Sequence, residues 1–160
     1  MNRFHIRPAS SADLTQICDI EENSFSAPYP RFLLRRLIHE QAASFTVAVQ
    51  DSGKILGYCV FSLDGKASHL ISIAVHTNYR RMGIATALME NLILQASSHG
   101  VKEVWLEVKT DNEAAIALYV ELGFLKSTIM ENYYSDGSPA LRMQLALSPQ
   151  HTTVPRMRSP

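Results

Sequence analysis

The chain has no surplus of either charge. Its 160 residues carry 15 Lys and Arg against 15 Asp and Glu. That balance argues against a protein held to nucleic acid or to a membrane surface by its global charge, while permitting a local basic patch. Cysteine is scarce. Cys18 and Cys59 are the only two and lack metal-ligand spacing. No disulfide framework and no metal site are expected, and a reducing, cytoplasmic setting is the default. The first residues, MNRFHIRPASSADL, lack the apolar segment of a signal peptide. No apolar run approaches the roughly 18 residues a membrane span needs. Internal repeats are absent. So are G-x-G-x-x-G and G-x-x-x-x-G-K-[ST], which removes the dinucleotide fingerprint and the P-loop. What remains is 46% hydrophobic and 19% charged, the profile of one soluble domain with a sizeable core.

Periodicity sets the element order. Phe4 to Arg7 reads as a strand stopped by Pro8. Ser10 and Asp13 have capping-box spacing, and Leu14, Ile17 and Cys18 then repeat at helical intervals. The two prolines of SFSAPYP, from Ser24 to Pro30, end that helix. A second helix buries Leu33, Leu34, Leu37 and Ile38. Three strands follow as a meander: one through Phe45, Val47 and Val49, one from Ile55 to Leu63, and one from Ser68 to His76. A helix runs to about Ser98. Val101 to Lys109 is a strand with Val104, Leu106 and Val108 on one face and Trp105 and Glu107 on the other. Asp111 or Asn112 caps a further helix. Two last strands, Phe124 to Tyr134 and Ala140 to Leu147, flank a turn at Ser135 to Gly137. The predicted order is β-α-α-β-β-β-α-β-α-β-β. The tail from Ser148 has the polar, proline-containing composition of a linker, giving a domain over 1–147 and a tail over 148–160.

The stretch NYRRMGIATALM, Asn78 to Met89, joins a strand to a helix. Helix first turns carry unpaired N–H groups and partial positive charge. Gly83 puts no side chain in the way of a ligand, so the amides from Arg81 to Thr86 can wrap a pyrophosphate, with Arg80 and Arg81 adding charge. A solvated basic turn accounts for the same residues.

Arg80-Arg81-Met82-Gly83-Ile84-Ala85 matches the pattern [Q/R]-x-x-G-x-[G/A]. With LISIAVHTNYRRMGIATALM, VWLEVKTDNEAAIALYVELGF and ENYYSDGSPALRMQL, the chain resembles the GNAT acetyltransferases, in particular their protein N-terminal acetyltransferase branch. The likeness covers roughly residues 3 to 147. It implies an α/β fold with a central mixed, mostly antiparallel sheet, helices on both faces, and two central strands that splay to take acetyl-CoA. Ile73, Ala74 and Val75 would hold the pantetheine by their backbone, with Arg80, Arg81, Met82, Gly83, Ile84, Ala85 and Thr86 on the phosphates. Asn112 would contact the cofactor, unless it is only a helix cap. Tyr119 would protonate the departing CoA sulfur; a half-buried helix aromatic is the plainer alternative.

Glu107 and His69 are two candidates for the base that deprotonates the amine. An α-amine with an ordinary value near 8 asks little of that base. Each also has a plainer reading, as a solvated carboxylate or a locally bonded strand histidine. The resemblance places Tyr133 and Tyr134 over the peptide cleft, one expected in the cleft and one partly structural. Phe25 and Tyr29 would line the pocket for the first substrate residue. Enzymes acting on small N-termini often have Glu where this chain has Ala27, so apolar Met-type and Ala-type ends both stay open. The expected reaction is direct acetyl transfer to the α-amine of a protein or peptide, a ribosomal protein among the candidates. No direct nucleic-acid or membrane partner is expected, and a monomer or weak dimer is. A small-molecule amine, a lysine side chain, and a non-catalytic acetyl-CoA-binding module are the alternatives.

Overall fold

The computed structural model describes residues 3–148. The tail beyond Ser148 lies outside them. The elements are β1 (Phe4–Pro8), a 3-10 turn (Ser11–Asp13), α1 (Leu14–Ser24), α2 (Arg31–Ile38), β2 (Ala43–Gln50), β3 (Ile55–Ser62), β4 (Ala67–Val75), a second 3-10 turn (Thr77–Tyr79), α3 (Ile84–Ser98), β5 (Glu103–Lys109), α4 (Glu113–Glu121), β6 (Leu125–Met130) and β7 (Ala140–Ala146). This is the order the periodicity predicts. The strands form a seven-stranded mixed sheet in the order β1-β2-β3-β4-β5-β7-β6. Only β4 and β5 run parallel.

The described residues divide into two compact units, 3–64 with Leu70–Leu92, and Gly65–His69 with 93–148. Strand β4 changes unit in mid-course. Ala67–His69 pair with Glu103–Trp105 of β5, whereas Leu70 to Val75 pair with β3.

In the first unit, helices cover both faces of β3, as neighbouring residues show. Tyr58 is fully buried and its hydroxyl meets Glu21 of α1. The adjacent Gly57 faces the opposite way. A Cβ there would lie 2.9 Å from the Ala74 carbonyl and 3.2 Å from Ile84 Cγ2 of α3. The α1 side of the core gathers Leu14, Ile17, Leu34, Phe45, Val47 and Tyr58. At the chain start, Asp13 takes both guanidinium nitrogens of Arg7 at 2.7 and 2.9 Å and the Ser10 amide at 2.8 Å. The expected capping residues therefore fasten β1 to the start of α1.

In the second unit, β5 alternates as predicted. Val104, Leu106 and Val108 are buried with Met143 and Leu145 of β7, and Trp105 and Glu107 take the other face. One expectation is corrected here. The strand predicted to reach Tyr134 ends at Met130. Asn132 has φ 52°, a left-handed conformation that asparagine tolerates and a strand cannot continue through. Tyr133 and Tyr134 therefore stand in the β6–β7 connection and do not alternate across a sheet.

Candidate active site

The first unit holds the basic loop. Arg81 and Gly83 both have left-handed backbones, φ 61° and 80°. Left-handed residues in such a turn aim successive N–H groups into one concavity, the geometry of an anion nest. The position of a Gly83 Cβ is open, with nothing within 4 Å. The amides of Ile84, Ala85 and Thr86 form the first turn of α3, where a helix offers no carbonyl of its own. That turn contains no acidic residue. Arg80 donates from Nε to the Val75 carbonyl at 3.2 Å, which pins the loop to the end of β4. Arg80, Arg81 and Met82 are exposed. Ile73 and Val75 are half-buried, whereas Ala74 is buried. An open backbone cradle without negative charge fits a pyrophosphate.

The loop after α1 lies in the same unit. Phe25 and Tyr29 expose 40% and 37% of their surface, so both rings are available to a ligand. Ala27 is also exposed, and the loop presents no outward carboxylate. The nearby carboxylate of Glu21 points inward, accepting the Tyr29 amide at 2.9 Å and the Tyr58 hydroxyl. Elsewhere in this unit an open depression of about 200 Å³ is lined by Asp19, Ile20, Asn23, His76 and Thr77. It contains none of the predicted site residues.

The second unit brings the two predicted bases into contact. His69 Nε2 lies 2.8 Å from Glu107 Oε2. The Glu107 side chain is 7% exposed and that of His69 31%. With the carboxylate ionised it can only accept, so the contact places the hydrogen on Nε2. The His69 ring stacks on Trp105 at 3.7 Å and 9°. Arg142 covers the same indole, its Cζ 4.3 Å from the ring centre, and sets Nη2 3.7 Å from Glu107 Oε1. The sheet register explains the cluster: His69 pairs with Trp105, and Glu107 with Arg142.

Asn112 caps α4, its Oδ1 accepting the Ala115 amide at 3.2 Å. Tyr119 is buried at 5% exposure, its ring 5.8 Å from that of Phe124. The Tyr133 and Tyr134 rings meet edge to face at 4.9 Å. Their turn is closed by Asp136, which accepts the Ser138 amide and hydroxyl. Those two bonds, with Lys109 adding to them, hold the Asp136 carboxyl down to about 2.

Residues 14–124 match the model of the Acetyltransferase (GNAT) family. The chain belongs to this family. It is a GNAT N-acetyltransferase, and acetyl-CoA is the family's acetyl donor. The chain is 33% identical over 157 residues to an N-alpha-acetyltransferase of Sulfurisphaera tokodaii, covering 90% of this chain and 93% of that one. It is 34% identical over 146 residues to the [ribosomal protein bS18]-alanine N-acetyltransferase of Escherichia coli, with 89% and 97% covered. The crystal structure of Ard1 from Thermoplasma volcanium superposes with a TM-score of 0.85 at 32% identity, covering 91% of this chain and 98% of that chain. The GNAT fold expected from the sequence is therefore the fold observed.

Sequence reasoning did not single out Arg142, Glu21, Tyr58 or Ser72 in this GNAT enzyme. Two of them leave a signal. Arg142 is a charge between Leu141 and Met143 on a strand with strict alternation. Glu21 continues the apolar face of Leu14, Ile17 and Cys18 by one helical step. The other two look like ordinary strand residues.

Proposed function

We propose that this enzyme transfers acetyl from acetyl-CoA to the α-amine of a protein or peptide N-terminus. The carrying observation is the 2.8 Å contact between His69 and Glu107, flanked by Trp105 and Arg142. An α-amine has an ordinary value near 8, so a modest acceptor strips its proton at neutral pH. His69 and Glu107 are proposed to act as one acceptor, the proton shared along their hydrogen bond. The Arg142 guanidinium stands beside the carboxylate, Nη2 3.7 Å from Oε1. The two relatives named for N-terminal or alanine acetylation support the same substrate class.

Bound acetyl-CoA supplies an activated thioester. Its phosphates suit the Arg81–Thr86 amides and its pantetheine the backbone of Ile73 and Val75. Asn112 is proposed to contact the cofactor while capping α4. Tyr119, whose hydroxyl can donate a hydrogen bond, is the proposed proton source for the leaving sulfur. Cys18 and Cys59 are buried free thiols, and burial pushes both thiols up. That suits direct transfer without an acyl-cysteine. Phe25 and Tyr29 are proposed to receive an apolar or small first residue, and Tyr133 and Tyr134 the first backbone groups. We further propose cytosolic action, with a ribosomal protein as one candidate. Among the described residues no helix is long and apolar enough to cross a membrane.

The test is thiol release from acetyl-CoA with peptides whose α-amine is free or blocked, each with and without a lysine. Turnover confined to free α-amines is expected. Turnover on blocked, lysine-containing peptides would favour a side-chain amine. Cofactor binding without turnover on any amine would overturn the assignment.

A further inference from the structure

We propose that Glu21 is a positioning residue that anchors the far end of the acceptor loop at Tyr29 and ties it to β4 through Tyr58 and Ser72. The inference rests on the acceptor-binding role proposed above for Phe25 and Tyr29.

Glu21 is 2% exposed, and no cation among the described residues pairs with it. An apolar residue would cover this step of α1 without removing a charge from water, which is costly. The hydrogen bonds show what the carboxylate does there. The Glu21 backbone carbonyl accepts the Phe25 amide at 3.1 Å. Its side-chain Oε1 accepts the Tyr29 amide at 2.9 Å. The first bond closes α1 and is open to any residue there; the second belongs to the Glu21 side chain and holds Tyr29, the last predicted substrate-contacting position of a loop that is neither helix nor strand. Pro28 and Pro30 cannot donate a backbone bond to brace that loop.

The second oxygen looks inward. Oε2 accepts the Tyr58 hydroxyl, which lies 3.2 Å from Ser72 Oγ. Tyr58 is fully buried and Ser72 is 8% exposed. Ser72 immediately precedes Ile73, which is proposed to meet the donor. The loop that receives the acceptor is thus braced on the strand that receives the donor, all inside the first unit.

Three variants test this. Glu21→Leu keeps the volume and removes the acceptor atom. Glu21→Gln keeps an oxygen for the Tyr29 amide. Tyr58→Phe removes only the inner brace. The readouts are Tyr29 amide hydrogen exchange, KM for acceptor and for acetyl-CoA, and the ratio of kcat/KM between a Met-initiated and an Ala-initiated peptide.

For Glu21→Leu, acceptor KM is expected to rise about ten- to a hundred-fold, because the part-buried Tyr29 amide loses its carboxylate acceptor. The peptide preference should flatten, Tyr29 exchange should accelerate, and acetyl-CoA KM should stay put. Glu21→Gln should restore the wild-type pattern. Unchanged acceptor KM and unchanged Tyr29 exchange in a folded Glu21→Leu would overturn the proposal. So would a proportional rise in both KM values. If Glu21→Leu does not fold, Tyr58→Phe decides: a raised acceptor KM supports the brace, and wild-type values overturn it. Tyr29 exchange reads the anchor even in the absence of turnover, so failure of the anchor and failure of the substrate assignment are told apart.

Discussion

His69 on β4 and Glu107 on β5 share one hydrogen bond, Nε2 to Oε2 at 2.8 Å. Groups that act through one bond are not additive. Glu107→Gln and His69→Gln are each expected to lower kcat/KM by about a hundred-fold, within the range of acid–base catalysis. The double variant should fall little below the worse single one. Steady-state kinetics on one peptide checks this, and losses that multiply would separate the two roles.

Trp105 is the only tryptophan in the chain, and it lies between the His69 ring and the Arg142 guanidinium. Tryptophan emission, excited selectively over tyrosine, therefore reports on this cluster alone. Acceptor peptide is expected to change the emission of the wild type. His69→Ala should shift the emission before any peptide is added, by unstacking one face of the indole.

Glu21 makes a stability prediction opposite in sign to its proposed role. Burial raises its carboxyl above the usual 4.5. The folded chain then holds the proton more tightly than the unfolded chain, so wild-type stability falls as pH rises from 4.5 through the raised value. Glu21→Gln escapes that loss. It is expected to be more stable than wild type at neutral pH, with the gap closing below about 4.5. Urea unfolding across pH measures it.

Asp136 behaves the other way. Its carboxyl is held at about 2 by Ser138 and Lys109. Its contribution is complete above the usual 3.8 and is lost as pH falls through about 2. Amide exchange at Ser138 should stay slow at pH 3.8 and accelerate only as pH approaches 2. Asp136→Asn weakens the turn beside Tyr133 and Tyr134, and a several-fold rise in acceptor KM is expected.

The elements were readable because each is written in a local period. β5 alternates strictly, and the first helix repeats Leu14, Ile17 and Cys18. The basic loop was readable because an N-terminal helix turn and a glycine are adjacent in sequence. The His69–Glu107 contact is not legible, although both are candidate bases: 38 positions separate them, and only the register of β4 on β5 joins them. Arg142 escaped for the same reason, since its partner is set by the β5–β7 register. The sequence around Tyr133 and Tyr134 predicts a strand, because nothing in its composition announces the left-handed Asn132 just before them.

Gly57 sits on β3, outside every predicted site segment, yet its missing side chain sets how closely α3 settles. The Ala74 carbonyl and Ile84, the first residue of α3, occupy the space a methyl would need. The seat of the basic loop is therefore shaped from beneath, by an atom that is not there. Variation in donor affinity among related chains can consequently arise at this buried position while every residue of the loop stays the same. A search for such variation that reads only the loop would miss its source.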